Sequence, residues 1–253
     1  MQLAVIGGTG TIGGPVVEAL AARGDEVRVL SRTAPAAPVA GSRHQRVDLT
    51  DGAGLREALD GVDAVVDASD DRSIRQRHRG PATARVLEAA ADAGVGHLVG
   101  ISIVGCDRSP LAYHRANAAQ EQQQLAGPVP VSIQRLTQVH PLLDTVMASS
   151  ARFGLSPRAR FPLQPIDPRD AAVAVVAAID AGPSGRRPDV GGPLVQPLAE
   201  LAEEWAAIRG RRRITVPVPT WGAGGRAVRD GLLCAPDGPV DGRTFAAWLE
   251  AAR

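Results

Sequence analysis

The sequence predicts an α/β fold: a doubly wound parallel sheet with a small C-terminal lobe that caps the substrate cleft. Three observations predict it. Short apolar runs alternate with helical patterns through the first half of the chain. Those runs are apolar throughout, as strands covered on both faces are. A glycine cluster stands directly behind the first run, in "AVIGGTGTIGGPVVEAL".

The elements follow in order. Residues 3–6, 26–30, 64–67, 97–101 and 131–134 read as strands, and 45–47 as a weaker one. Residues 15–23, 55–59, 83–93 and 112–125 read as helices between them. Gly24, Gly61 and Gly94 stand where a helix-ending glycine belongs. Right-handed crossovers then wind the strands into a sheet of about seven. After residue 140 the pattern loosens. A helix is expected from about 169 to 181, an amphipathic one at "LAELAEEWAAIRG", an extended segment at "RRRITVPVPT" and a closing helix at "TFAAWLEAAR". Residues 1–138 are the expected nucleotide-binding part and 139–253 the lobe, with one return to the sheet, in a single structural unit.

Composition narrows the functions. A net charge of +1 gives no electrostatic case for nucleic acid or an anionic membrane as partner. No apolar run approaches the length of a membrane span. Met1 runs straight into a strand, so no signal peptide is expected and a cytoplasmic location is. Cys106 and Cys234 make no disulfide framework, and no cluster has metal-ligand spacing, so no metal is expected. The chain has no lysine, which excludes Schiff-base chemistry and a P-loop.

The glycine turn fits two registers, Gly7-x-x-Gly10-x-x-Gly13 and Gly8-x-Gly10-x-x-Gly13. Both follow a strand and precede a helix, the context of dinucleotide binding. Backbone without side chains lets a pyrophosphate approach, and the helix offers it free N–H groups and a positive dipole end. The second strand ends in Ser31-Arg32 with no acid for a ribose diol. A guanidinium suits a 2′-phosphate, so NADP(H) is the expected cofactor.

At "VIGGTGTIG", "VRVLSR", "GVDAVVDAS", "GVGHLVGISIVG", "AYHRANAAQE", "VSIQRLTQVH" and "LQPIDPRDAA" the chain resembles the atypical short-chain dehydrogenase/reductase superfamily. Within it the sequence is similar to the NmrA-like, NAD(P)H-binding group common in actinobacteria. The resemblance covers nearly the whole chain and implies a Rossmann fold. It also implies site residues. Gly7, Gly10, Thr11, Ile12 and Gly13 match the pyrophosphate turn, and Arg32 the 2′-phosphate arginine. Asp48 and Leu49 match a pair beside the adenine, although Asp48 reads equally as a loop cap. Ala68 and Ser69 match a segment under the cofactor, Ser102 the active-site serine, and Tyr113 the tyrosine of Tyr-x-x-x-Lys.

There the pattern breaks, because the lysine position holds Asn117. The i,i+4 spacing survives and the charge does not. Asn117 can still hydrogen-bond a ribose hydroxyl. Without the lysine the phenol is expected near its ordinary value of about 10, unless another cation reaches it. His140, behind the sixth strand, reads as a cleft acid or base or as a loop residue. Gln138 and Thr137 lie in the same turn. His114 reads as a surface residue, and Asp70, Asp71, Arg72, Arg75, Arg77 and Arg79 as a solvated charge run. Phe153, Phe161, Trp205 and Trp221 suit an apolar small-molecule substrate or ordinary packing equally. Three functions remain open: an NADPH-dependent reductase of a carbonyl or activated double bond; a cyclase, isomerase or epimerase on the same fold; and an NADP(H) sensor acting through a protein partner.

Overall fold

The computed structural model describes residues 1–71, 76–210, 214–218 and 222–252, except the Ala223 side chain. Trp221 and the arginine run 211–213 lie outside the described residues. The chain divides into two compact units. The first holds Met1–Ser102, Ala112–Arg135 and Ala172–Pro188, and the second Ile103–Leu111, Leu136–Ala171 and Asp189–Arg253. The division thus crosses the chain several times and is not a single cut at residue 138.

The first unit opens with the predicted alternation: β1 (Gln2–Ile6), α1 (Gly13–Ala22), β2 (Glu26–Ser31), β3 (Ser42–Arg46), α2 (Leu55–Leu59), β4 (Ala64–Asp67) and α3 (Arg79–Asp92). It continues with β5 (His97–Ile103), α4 (Ala112–Leu125) and β6 (Val131–Leu136). Seven strands form one parallel sheet in the order β3-β2-β1-β4-β5-β6-β9, where β9 is the short return Gly185–Arg186. Chain order reverses between β1 and β4, and their carboxyl ends are where an open α/β sheet binds ligands. Gly24, Gly61 and Gly94 all have positive φ, as their helix-ending positions require. Strand β3 begins three residues earlier than its composition suggests. Its polar residues 42–46 pair with β2 at the sheet edge, where apolar content matters least. The core is aliphatic, with Ile6, Leu30, Leu59, Val65, Leu98 and Ile133 almost without exposure.

The second unit is built differently. Between α5 (His140–Ala151) and the closing helix come β7 (Leu155–Arg158), β8 (Pro162–Leu163), the start of α6 (Pro168–Asp180), β10 (Gln196–Pro197), α7 (Leu198–Arg209), β11 (Ile214–Pro217) and α8 (Gly222–Arg229). The last, α9 (Phe245–Ala251), is capped by Thr244, whose Oγ1 accepts from the Ala247 N–H. Helix α5 escapes the sequence pattern because its buried residues are only His140, Leu143 and Met147. The core is aromatic: Trp205 and Phe245 are buried with Leu201 and Leu249, and Phe161 and Trp248 pack against them. Phe153, in contrast, is 81% exposed. Of the aromatics in this part, Trp205 and Phe161 are therefore packing residues.

Candidate functional site

The strand β1 ends at Ile6 and the turn begins at Gly7, whose N–H donates to the Leu30 carbonyl at the end of β2 (2.8 Å). Gly7 has φ +72°, the left-handed region that favours glycine. A Cβ there would lie 2.6 Å from the Ala68 carbonyl oxygen, so the turn packs directly on the segment after β4. The Gly10 N–H donates back to the Gly7 carbonyl (2.8 Å). At Gly13 a Cβ would collide with the Gly7 carbonyl, which makes glycine obligatory where α1 starts. Gly10 differs: among the described residues outside its chain neighbours, only the Gly7 oxygen lies within 4 Å of a Cβ there, at 3.0 Å. Thr11 is exposed and Ile12 at the N-cap makes no side-chain capping bond, while the Gly14 N–H already donates to the Gly10 carbonyl (2.9 Å) and Pro15 has no N–H to offer, so any acceptor for the helix start is left to the residues ahead of Gly14.

Behind β4, the Ala68 N–H donates to the Ile6 carbonyl (3.0 Å). Ser69 is held by the buried Asp67 carboxylate, which accepts from its N–H (3.1 Å) and its hydroxyl (2.6 Å). The other oxygen of Asp67 accepts from Gln120 and Gln124 on α4, both at 3.1 Å. The next residue, Asp70, accepts from the Tyr113 hydroxyl (3.3 Å) and from Arg79 Nη2 (2.6 Å) on one oxygen. Arg79 is only 6% exposed, and its guanidinium carbon lies 5.4 Å from the centre of the Tyr113 ring. The charge run read as solvated therefore contains a buried arginine. Burial pushes the Tyr113 phenol above its ordinary value and the Asp70 charge adds to this, while Arg79 and Asn117 oppose it. The expected unshifted phenol is thus corrected: another cation does reach it, and it is outweighed.

A family model described as NAD(P)H-binding matches residues 7–127, which span both the glycine turn and Tyr113. A relative, the (4-alkanoyl-5-oxo-2,5-dihydrofuran-3-yl)methyl phosphate reductase of Streptomyces griseus, is 32% identical over 220 residues, covering 83% of this chain and 74% of its own. The chain belongs to the NAD(P)H-binding group of the atypical short-chain dehydrogenase/reductases. Solved structures share the fold. An NADPH-dependent quinone oxidoreductase of Escherichia coli in complex with NADPH superposes with TM-score 0.78 at 20% identity, covering 99% of each chain. A nucleoside-diphosphate-sugar epimerase of Staphylococcus aureus gives TM-score 0.78 at 18% identity, covering 99% of this chain and all of the other.

The glycine turn fits the nucleotide of this NAD(P)H-binding group: Gly7 and Gly13 let the backbone close on itself, and Gly10 leaves the open side of the turn without a side chain. Arg32 is exposed directly after β2. Its neighbour Ser31 donates to the Thr33 carbonyl (2.8 Å) and lies 3.1 Å from His44 Nε2. Asp48 takes the loop-capping position: its carboxylate accepts from the Thr50 N–H (2.9 Å). That bond, the Thr50 hydroxyl and the charges of Arg32 and Arg46 hold the Asp48 carboxyl below its ordinary range. Leu49 packs against the aliphatic core, and its carbonyl accepts from Arg85 (3.1 Å).

Three expected catalytic residues have other occupations. Ser102 is buried, and its hydroxyl donates to Glu121 Oε1 (2.5 Å). Glu121 is itself 1% exposed and paired with Arg135 (2.7 Å) and Arg186 (3.2 Å). Ser102 and Tyr113 therefore engage different partners. Asn117, also buried, donates from Nδ2 to the Tyr113 carbonyl one turn back (2.9 Å) and accepts weakly from Arg79 Nη1 (3.4 Å). Those bonds occupy the amide expected on a ribose. His140 has no exposure at all; its ring lies 5.6 Å from Phe245 and 5.7 Å from Trp248, centre to centre. Its Nε2 meets the Pro165 carbonyl (3.2 Å), and burial lowers its pKa to about 4. His140 is a neutral packing residue and no cleft base. Nor is His114 a plain surface residue: its Nδ1 is buried without a hydrogen-bond partner among the described residues. In the same turn as His140, Gln138 donates to the Leu233 carbonyl (2.8 Å) and Thr137 to the Gln164 carbonyl (2.5 Å).

The residues missed in the sequence are Asp67, Asp70, Arg79, Gln120, Glu121, Gln124 and Arg135. One signal pointed to them. In "AYHRANAAQEQQQL" the positions 113, 117, 120, 121 and 124 share a helix face that carries no aliphatic residue. A covered helix with such a face needs polar partners elsewhere.

Proposed function

We propose that this protein is an NADP(H)-dependent reductase of a carbonyl or an activated double bond on a small, largely apolar metabolite. One observation carries the reading. The segment Ala68-Ser69-Asp70 touches the glycine turn at Gly7 and accepts the Tyr113 hydroxyl at Asp70, so a proton donor stands beside the nucleotide site. The bound nicotinamide would supply a hydride. Tyr113, with its phenol raised, is a proton donor at neutral pH and a poor base, which favours reduction over alcohol oxidation. Its hydroxyl turns from Asp70 toward an oxyanion as charge develops there. The compound in the name of the Streptomyces griseus relative, a dihydrofuranone bearing an alkanoyl group and a methyl phosphate, supports the activated double bond, and only its alkanoyl group supports an apolar part. Arg32 in place of an acid supports NADPH over NADH.

The test follows NADPH consumption with ketones, quinones and alkanoyl dihydrofuranones. Turnover is expected with at least one class, and Tyr113→Phe should reduce it by about 10²-fold. Full activity in Tyr113→Phe removes the phenol from the reaction. Binding of NADPH without consumption by any class moves the assignment to a non-redox enzyme or to a sensor with a protein partner.

A further inference from the structure

The tyrosine lacks the lysine that its motif supplies one helical turn later, and Asn117 is occupied by other bonds. Yet a cation stands over the ring. We propose that Asp70 and Arg79 are the positioning pair of Tyr113, with Arg79 of α3 supplying the charge that Asn117 cannot and Asp70 holding the hydroxyl.

Arg79 is placed for this and not for its helix. It is the first residue of α3, where the positive end of the dipole disfavours a cation. Nor is it a solvated surface charge. Nη1 donates to Gln120 (2.8 Å), Nε to Gln76 (3.0 Å) and Nη2 to Asp70 (2.6 Å), so the guanidinium plane is fixed on three sides. The plane that results presents its charge to the Tyr113 ring, at 5.4 Å. The carboxylate that receives Nη2 uses the same oxygen, Oδ1, for the phenol. Arginine, carboxylate and phenol are thus one connected unit drawn from α3, the segment after β4, and α4.

The two charges act on the phenol with opposite sign. Asp70 disfavours the phenolate and Arg79 favours it. Among the described residues His114 also faces the ring, 6.2 Å away centre to centre, and burial lowers its pKa. Removing Arg79 leaves the carboxylate unopposed and should raise the phenol further. Removing the Asp70 charge should lower it.

Tyr113 is the only tyrosine of the chain, and there is no lysine to titrate beside it. The near-ultraviolet absorbance of tyrosinate therefore reads this one group in the whole protein. In an alkaline titration, Asp70→Asn should lower the apparent pKa of Tyr113 by about one pH unit, and Arg79→Gln should raise it by about as much. Arg79→Lys should restore most of the natural value. Should Arg79→Gln not fold, Asp70→Asn and Arg79→Lys still decide. Equal pKa values in Asp70→Asn and the natural protein would overturn the proposal, as would a fall in Arg79→Gln. The significance of the pair for catalysis rests on the reductase reading, but the titration needs neither cofactor nor turnover. A moved titration with no NADPH consumption leaves the pair and removes the reductase; the opposite result removes only the pair.

Discussion

The glycine turn and the end of the first unit that we propose to be reactive are neighbours made in opposite ways. The turn is backbone. Gly7 needs its left-handed φ, Gly13 must lack a Cβ, and the Ile12 N-cap adds no side-chain cap to the helix start. The reacting end is side chains. Tyr113 draws on Asp70 and Arg79, and the rest of the α4 face on Asp67, Arg135 and Arg186. A site made of backbone is carried by a short local word, whereas one made of side chains depends on residues brought in from other strands and helices. The two halves should accordingly break differently, one by adding atoms and the other by removing charge.

The largest effect is expected where charge is most deeply buried. Glu121 accepts from Ser102, from Arg135 at Nε (2.8 Å) and Nη2 (2.7 Å), and pairs with Arg186. Glu121→Ala leaves Arg135, 8% exposed, without that carboxylate. Removing one partner of a buried pair costs about 3–5 kcal/mol. Urea unfolding should show an unfolding free energy lowered by that amount, as a lower midpoint at unchanged slope. At the other end of the face, Asp70 is 46% exposed, so Asp70→Asn should change stability by no more than about 1 kcal/mol. Equal losses in the two variants would erase the distinction between a sealed end of α4 and a working one.

Within the turn, two glycines separate structure from binding. Gly10→Val puts methyl groups into the open side of the turn, next to the Gly7 oxygen alone. The fold should survive and NADPH affinity should fall by about 10²-fold, or about 2.7 kcal/mol, in a fluorescence titration. Gly13→Val meets the Gly7 carbonyl instead and should lower the thermal midpoint before binding is even measured. If both variants keep their midpoint, the turn is looser than its contacts indicate.

What could be read in the sequence follows the same division. The sheet and helices α1, α2 and α4 were legible because apolar runs and helix-ending glycines are local signals. The turn was legible because its chemistry is the absence of side chains. Arg79 was misplaced for a particular reason: the helix is expected only from residue 83, which leaves residue 79 in a loop. In the structure Pro81 occupies the first turn, where its missing N–H is not needed, and α3 begins at Arg79. Four residues of helix changed a surface charge into a buried one. The polar face of α4 was visible, but its partners lie from 14 residues away (Arg135 from Glu121) to 65 (Arg186 from Glu121). His140 shows the reverse error. A histidine after a strand looks reactive until the Phe245 and Trp248 rings, a hundred residues later in the chain, are seen to enclose it.

The smallest expected effect on binding lies beside the turn, where we propose that the Arg32 side chain serves the nucleotide. Arg32 follows β2 and is exposed, and its charge is felt at Asp48 together with that of Arg46. A 2′-phosphate there would meet a guanidinium in water, not in a buried fork. Its contribution should be modest and sensitive to salt. Arg32→Ala should weaken NADPH binding by about tenfold, or about 1.4 kcal/mol, and leave NADH unchanged. Raising the salt concentration should narrow the same gap in the natural protein, because an exposed pair is screened. Arg46→Ala is the control for a general loss of positive potential. If it matches Arg32→Ala, the preference comes from the summed charge at the ends of β2 and the edge strand β3. If Arg32→Ala alone erases it, one side chain chooses the cofactor. Equal affinity of the natural protein for NADH and NADPH would remove Arg32 from the site altogether and leave the backbone turn as its sole recognition element.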